Sequence, residues 1–171
     1  MAVRSYLHGL ALGLAAVGVM EAQSALSVAA GTATPVGPKA SAYRGGAHGR
    51  MAWDGKVPVG PFGMRIETTF SQMAGADSTN QGRRVLAGLF GVTWSGESVY
   101  ALAGIGAYRW QCWGGGCAAG ASAAHDMGLN AGLAYVFPIG DFAAVVEARV
   151  HILVNNTERL AFVPLTLGIA F

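Results

Sequence analysis

The sequence predicts an all-β protein: an eight-stranded, antiparallel, up-and-down β-barrel whose strands cross a membrane. Three observations predict it. Of the 171 residues, 53% are hydrophobic and only 12% are charged. A soluble domain carries about 25% charged residues, so much of this surface is built to meet something other than water. Beyond the N-terminal region, no segment holds the roughly 20 continuous apolar residues of a spanning helix. The chain instead breaks into segments of about ten to thirteen residues in which apolar side chains recur at every second position. A membrane barrel hides its hydrophobicity in that alternation. The competing class is a soluble β-protein of unusually apolar composition. The net charge of +2, with no lysine or arginine cluster, excludes a nucleic-acid partner.

The first element is an export signal over residues 1–23. Arg4 supplies the positive n-region and residues 10–20 the apolar h-region. Glu21, Ala22, Gln23 and Ser24 are small or polar, as a cleavage region requires. The cut is expected between Ala22 and Ser24, leaving one domain over 24–171; an amphipathic N-terminal helix is the alternative.

The strands follow at 25–34, 46–54, 61–73, 83–94, 98–110, 127–137, 142–153 and 160–171. A spanning strand tilted near 45° needs about 9–11 residues, whereas strands of soluble proteins are nearer 5–6. The connections at 55–60, 95–97 and 138–141 are short and rich in Gly, Pro, Ser and Asp, the residues of tight turns. Those at 35–45, 74–82, 111–126 and 155–159 are mostly longer and more polar. Short turns on one side and longer loops on the other belong to this architecture.

Alternation assigns the faces. Phe62, Met64, Ile66, Thr68 and Phe70 share one face of the third strand, opposite Arg65 and Glu67. In the seventh, Phe142, Val146, Val150 and Ile152 oppose Glu147, Arg149 and His151; in the last, Val163, Leu165, Leu167, Ile169 and Phe171 oppose Thr166 and Gly168. Successive side chains of a strand point to opposite faces, and a membrane barrel turns the apolar set outward. With strands running alternately up and down, Trp53, Phe62, Trp94, Tyr100, Phe137, Phe142 and Phe171 form an aromatic girdle at the short-turn rim. Phe70, Tyr108 and Trp110 fall at the other rim. Amphipathic rings favour the headgroup level.

Eight strands enclose only enough space for side chains. The same parity sends Arg50, Arg65, Glu67, Arg109, Asn130, Glu147, Arg149 and His151 into the lumen. Buried charges require partners, so these residues are expected to form an interior polar network, with Arg65, Glu67, Glu147 and Arg149 as its ion pairs. The network reads as a structural plug, or as an ion path or gate. Catalysis is not expected. Glu147 and His151 share a face, but about 13 Å of strand rise separates them, too far for a direct hydrogen bond. His48 and His125 read as rim or loop residues rather than ligands. No metal or cofactor is expected. Asn155-Asn156-Thr157 matches a glycosylation acceptor pattern, a match that carries no inference here. Cys112 and Cys117 flank the run Trp113-Gly114-Gly115-Gly116. An exported chain meets an oxidising compartment, so they form either a loop disulfide or two free thiols.

The run 146–151 (Val-Glu-Ala-Arg-Val-His), a short loop, and 162–171 (Phe-Val-Pro-Leu-Thr-Leu-Gly-Ile-Ala-Phe) resemble the ending of the small OmpA/OmpX-like outer-membrane barrel domains. Residues 61–67 and 101–108 resemble that family's third and fifth strands, and the resemblance spans nearly the whole mature chain. It implies the outer membrane of a Gram-negative-type bacterium, outer-membrane lipid as surroundings, and Phe171 as the signal read by the barrel-assembly machinery. The chain stops at Phe171, so the peptidoglycan-binding domain of larger OmpA-type proteins is not expected. The resulting expectation is a monomeric barrel with a structural or surface-contact role. The alternatives are a narrow ion-conducting pore, a lipid-modifying outer-membrane enzyme, or a soluble lipocalin-like binder.

Overall fold

The computed structural model describes residues 25–57, 60–77, 81–96, 98–114, 117–118, 122–154 and 160–171. The export signal and the acceptor tripeptide at 155–157 lie outside the described residues. Eight strands follow one another: β1 (Ala25–Val36), β2 (Tyr43–Lys56), β3 (Phe62–Gly75), β4 (Gly82–Ser95), β5 (Val99–Trp113), β6 (Ala124–Ile139), β7 (Phe142–Val154) and β8 (Ala161–Ala170). A 3-10 turn, Ala40–Ala42, sits between β1 and β2.

Each strand pairs antiparallel with its sequence neighbours, and β8 returns to β1 to close the barrel. The closing register runs from Ser27 opposite Ala170 to Val36 opposite Ala161. Closure leaves no edge strand. Backbone pairing runs from strand to strand around the ring, the arrangement hydrocarbon favours in any spanning structure. Gly140 shows how the turns are made. It takes a φ of 60° in the two-residue link between the paired residues Ile139 and Phe142, where a turn matching strand twist needs positive φ. The β7–β8 ladder runs from Ala143 opposite Ala170 to Ala148 opposite Leu165, then resumes at His151 opposite Phe162. Pro164 falls in the gap and has no N–H to donate.

The strands outrun the sequence expectation at the loop side, where β2 begins at Tyr43 and β6 at Ala124. Hydrophobic alternation fades there while backbone pairing continues. A register shift between Tyr43 and Gly46 marks a bulge in β2.

The faces are as alternation assigned them on β3, β7 and β8. Ile66, Val146 and Leu167 are 56%, 37% and 63% exposed, while Arg65 and Glu147 are 5% and 3% exposed. Strand β5 is the correction. Tyr100, Leu102, Gly104, Gly106 and Tyr108 point inward; Ile105 and Arg109 point outward. Arg109 therefore does not belong to the interior network, and Tyr100 does not belong to the aromatic girdle. Tyr108 and Trp110 likewise leave the opposite rim for the interior. The reason is physical. A one-residue slip of parity exchanges the faces of a whole strand, and β5 offers only small residues to tell its faces apart over much of its length, Ala101, Ala103 and Ala107 on one and Gly104 and Gly106 on the other. Its two tyrosine hydroxyls decide the outcome, because hydrogen-bond partners await them inside.

Candidate functional site

The candidate site is the filled lumen, which the strands build in layers along the axis. Near the short-turn end, Arg65 of β3 is the hub. Its Nε and Nη2 donate to the two carboxylate oxygens of Asp54 at 2.7 and 2.8 Å. Its Nη1 donates to Glu147 Oε2 at 2.8 Å. Nη2 also donates to the Tyr100 hydroxyl at 2.9 Å, and that hydroxyl donates onward to Glu147 Oε2 at 2.8 Å. One step deeper, Arg149 of β7 grips Glu67 with Nη1 and Nη2 at 2.6 and 2.9 Å, and its Nη2 also reaches Glu147 Oε1 at 2.6 Å. Arg50 donates to Ser27 Oγ at 2.9 Å and approaches Glu147 Oε2 at 3.5 Å.

The topology explains this convergence. In a closed ring of eight strands, β3 and β7 lie diametrically opposite. Arg65–Glu147 and Glu67–Arg149 each join β3 to β7, so both pairs cross the lumen. The assembly holds three arginines, Arg50, Arg65 and Arg149, against three carboxylates, Asp54, Glu67 and Glu147. Its formal charge is zero. Isolated buried charges are costly, and pairing with hydrogen bonds is what makes them tolerable.

Toward the loop end the chemistry changes. His48 Nδ1 and Ser71 Oγ share a hydrogen bond of 2.8 Å, and His151 Nδ1 and the Tyr108 hydroxyl share one of 3.0 Å. The His151 ring stacks on Phe162, with centroids 4.9 Å apart. Gly128 leaves room for Tyr108, since a Cβ there would lie 2.6 Å from the tyrosine ring. Above them Ala33, Met73, Val85, Leu153 and Phe162 form a buried apolar layer. At the opposite end a cavity of about 260 Å³ opens among Asp54, Lys56, Arg65, Thr93 and Tyr100.

Of the residues singled out from sequence, Arg50, Arg65, Glu67, Glu147, Arg149 and His151 are all brought into the lumen. His48 is a correction. It is 4% exposed inside the barrel, not at a rim, and it shares the parity of Arg50. Asp54 and Ser27 were missed, although Arg50 fixes the inward parity of β2 and so points to Asp54. Trp53, Phe62, Trp94, Phe137, Phe142 and Phe171 carry their rings outside. A disulfide joins Cys112 to Cys117. Glu147 is held by arginines and His151 by Tyr108, so the two form no catalytic pair. Among the described residues no cluster of His, Cys, Asp or Glu is arranged to hold a metal ion.

No family model matches the sequence, and no curated protein does. Solved structures do. Neisserial surface protein A superposes with a TM-score of 0.62 at 15% identity, over 86% of this chain and 95% of that one. Ail, the attachment invasion locus protein of Yersinia pestis, gives 0.58 at 16% identity, over 88% of this chain and all of that one. The fold is that of the small eight-stranded outer-membrane β-barrels. A major outer membrane protein of Thermus thermophilus shares this barrel fold, with a TM-score of 0.55 at 12% identity, over 88% and 99% of the two chains. At such identities the outer-membrane barrel fold is what is shared. The lumen must be read from this chain's own residues.

Proposed function

We propose that this chain is a monomeric integral protein of the outer membrane of a Gram-negative-type bacterium, with a plugged lumen, no catalytic activity, and a structural or surface-contact role. The short turns face the periplasm and the longer connections face outward. The outward band supports the membrane setting. Phe90, Leu129, Leu133 and Leu167 are each about half or more exposed, a surface that water would not tolerate as one contiguous belt. An export signal over 1–23, and delivery through the barrel-assembly machinery with Phe171 as its signal, belong to the same reading. The solved relatives are named as surface and outer-membrane proteins, and Ail carries attachment in its name.

The observation that carries the plugged reading is the pair of β3–β7 bridges across the lumen, closed by Arg50, Asp54 and Tyr100. A path for ions would have to break charge-assisted contacts of 2.6–2.9 Å. Surface contact would then fall to the loop end of β5 and the connection to β6, where Trp113 closes the strand beside the disulfide. The cavity beneath Arg65 favours a second reading, a narrow ion-conducting pore. Heat-modifiable gel migration, combined with conductance in planar bilayers, separates the two. Folded migration without conductance supports the plug, while steady, ion-selective steps overturn it.

A further inference from the structure

The two rims of the outward band differ in chemistry. At the short-turn rim the outward side chains are aromatic: Trp53, Phe62, Trp94, Phe137 and Phe142. At the loop rim, β4 to β6 present Arg84, Arg109 and His125 instead. Arg109 sits in register with Leu86 on one side and His125 on the other. Arg84 sits in register with Gln72 and Gln111. The two arginines are therefore diagonal neighbours on adjacent strands, roughly 7–8 Å apart. Arg84 is steadied by Gln72 Oε1 at 3.1 Å and by the Trp113 ring at 5.2 Å. Among the described residues, no acidic side chain takes an outward position on β3 to β6; Glu67 and Asp126 both turn inward.

Directly beneath this cationic rim lies a row of mostly small residues. Thr68, Gly88, Ala107 and Met127 stand side by side on β3, β4, β5 and β6. Gly88 leaves open space where a side chain would stand, for a Cβ there would meet no atom within 4 Å. The result is a shallow, open outward groove at Gly88, bordered by Ile66, Phe90, Ile105 and Met127. A guanidinium pair above an apolar groove matches an amphiphile with a phosphate head and an acyl tail. Guanidinium groups bind phosphate bidentately, and cationic side chains at the headgroup level favour anionic lipid.

We infer that the outward face of β3 to β6 binds one anionic phospholipid-like molecule, its phosphate between Arg84 and Arg109 and an acyl chain in the groove at Gly88. This inference rests on the membrane reading above. The test uses the protein purified from membranes in detergent, freed of copurified lipid, and titrated with phosphatidylglycerol or phosphatidylcholine of identical chains in native mass spectrometry. Phosphatidylglycerol is retained preferentially. The R84Q/R109Q double variant loses about thirtyfold in its affinity, while Lys39→Gln, away from the patch, changes nothing. Gly88→Leu fills the groove and weakens both lipids. Heat-modifiable migration verifies that each variant is folded. Equal retention of the two lipids, or phosphatidylglycerol binding untouched in R84Q/R109Q, overturns the inference. Failure of the parent protein to enter phosphatidylcholine vesicles speaks against the membrane reading itself. Entry without lipid preference strikes only this inference.

Discussion

Consider cutting one of the bridges that cross the lumen. Arg149→Leu removes three contacts: two to Glu67, at 2.6 and 2.9 Å, and one to Glu147, at 2.6 Å. Glu147 keeps Arg65 and Tyr100. Among the described residues Glu67 keeps only Arg65, at 3.7 Å, and its side chain is 1% exposed. A carboxylate stranded in this way costs about 3–5 kcal/mol. Glu67→Leu is milder, because Arg149 still holds Glu147 and Arg65 still holds Asp54; a loss of about 2–3 kcal/mol is expected. The double variant E67L/R149L restores neutrality, leaving Arg50 and Arg65 against Asp54 and Glu147. Replacing a buried pair by apolar residues of similar volume is often neutral or better, so the double variant should be more stable than R149L alone. The assay is urea unfolding of the protein in phosphatidylcholine vesicles, followed by tryptophan fluorescence and gel migration. If the two single losses simply add in the double variant, Glu67 and Arg149 are not coupled, and the account of the lumen as a charge-balanced network fails.

Three further outcomes follow from the same geometry. Leu167→Arg places a cation on the outward band and should cost about 2–4 kcal/mol near the midplane, whereas Thr166→Ser, on the inward face, should be close to neutral; equal tolerance in a vesicle-insertion assay would contradict the facing assignment. Tyr100→Phe deletes a hydroxyl that accepts from Arg65 and donates to Glu147, and denaturant titration should show a loss of about 1–3 kcal/mol. Gly128→Ala pushes a Cβ to 2.6 Å from the Tyr108 ring and 2.7 Å from the Ile152 carbonyl oxygen, so it should lower the unfolding midpoint clearly, while Gly88→Ala, which meets nothing, should leave it unchanged.

What the sequence made legible tracks the contrast between the two faces of each strand. On β3 the inward residues are Arg65, Glu67, Thr69 and Ser71, and the outward ones are Ile66, Thr68 and Phe70. The contrast of Arg65 and Glu67 with Ile66 and Phe70 separates the faces, Thr68 and Thr69 being neutral to it, and the register follows. On β7 the contrast between Val146 and Glu147 does the same. Strand β5 has no such contrast below Arg109, and the two cues that remain, a charge and two aromatic rings, both mislead. Arg109 stands exposed on the outward face near the loop end of β5, opposite His125, so it needs no interior partner. Tyr100 and Tyr108 carry hydroxyls that Arg65, Glu147 and His151 satisfy, so they need no interface. Neither fact is local. Each depends on which strands face one another across the ring, and a linear pattern does not encode that. His48 illustrates the same limit, since it shares the parity of Arg50 but gains its meaning from Ser71 on β3, 23 residues away.

The layering has a consequence for where any activity can reside. The ionic layer and its hydrogen-bond partners come from β1, β2, β3, β5 and β7, so they tie five of the eight staves together through the centre. The layer above it, built on Met73, Val85, Leu153 and Phe162, is apolar among the described residues except for Tyr108, whose hydroxyl is tied to His151. A perturbation at the loop end, such as reduction of the Cys112–Cys117 bond, therefore meets a dry layer before it reaches the charges. Coupling between sites needs an element with two arrangements that both sites bias, and interdigitated apolar packing resists intermediate positions. Reducing the disulfide should accordingly leave the stability change caused by Arg149→Leu unaltered within about 0.5 kcal/mol, as for independent sites. A larger coupling, measured by unfolding the protein and the variant with and without reductant, would mean that the loops and the ionic layer communicate through the wall of the barrel.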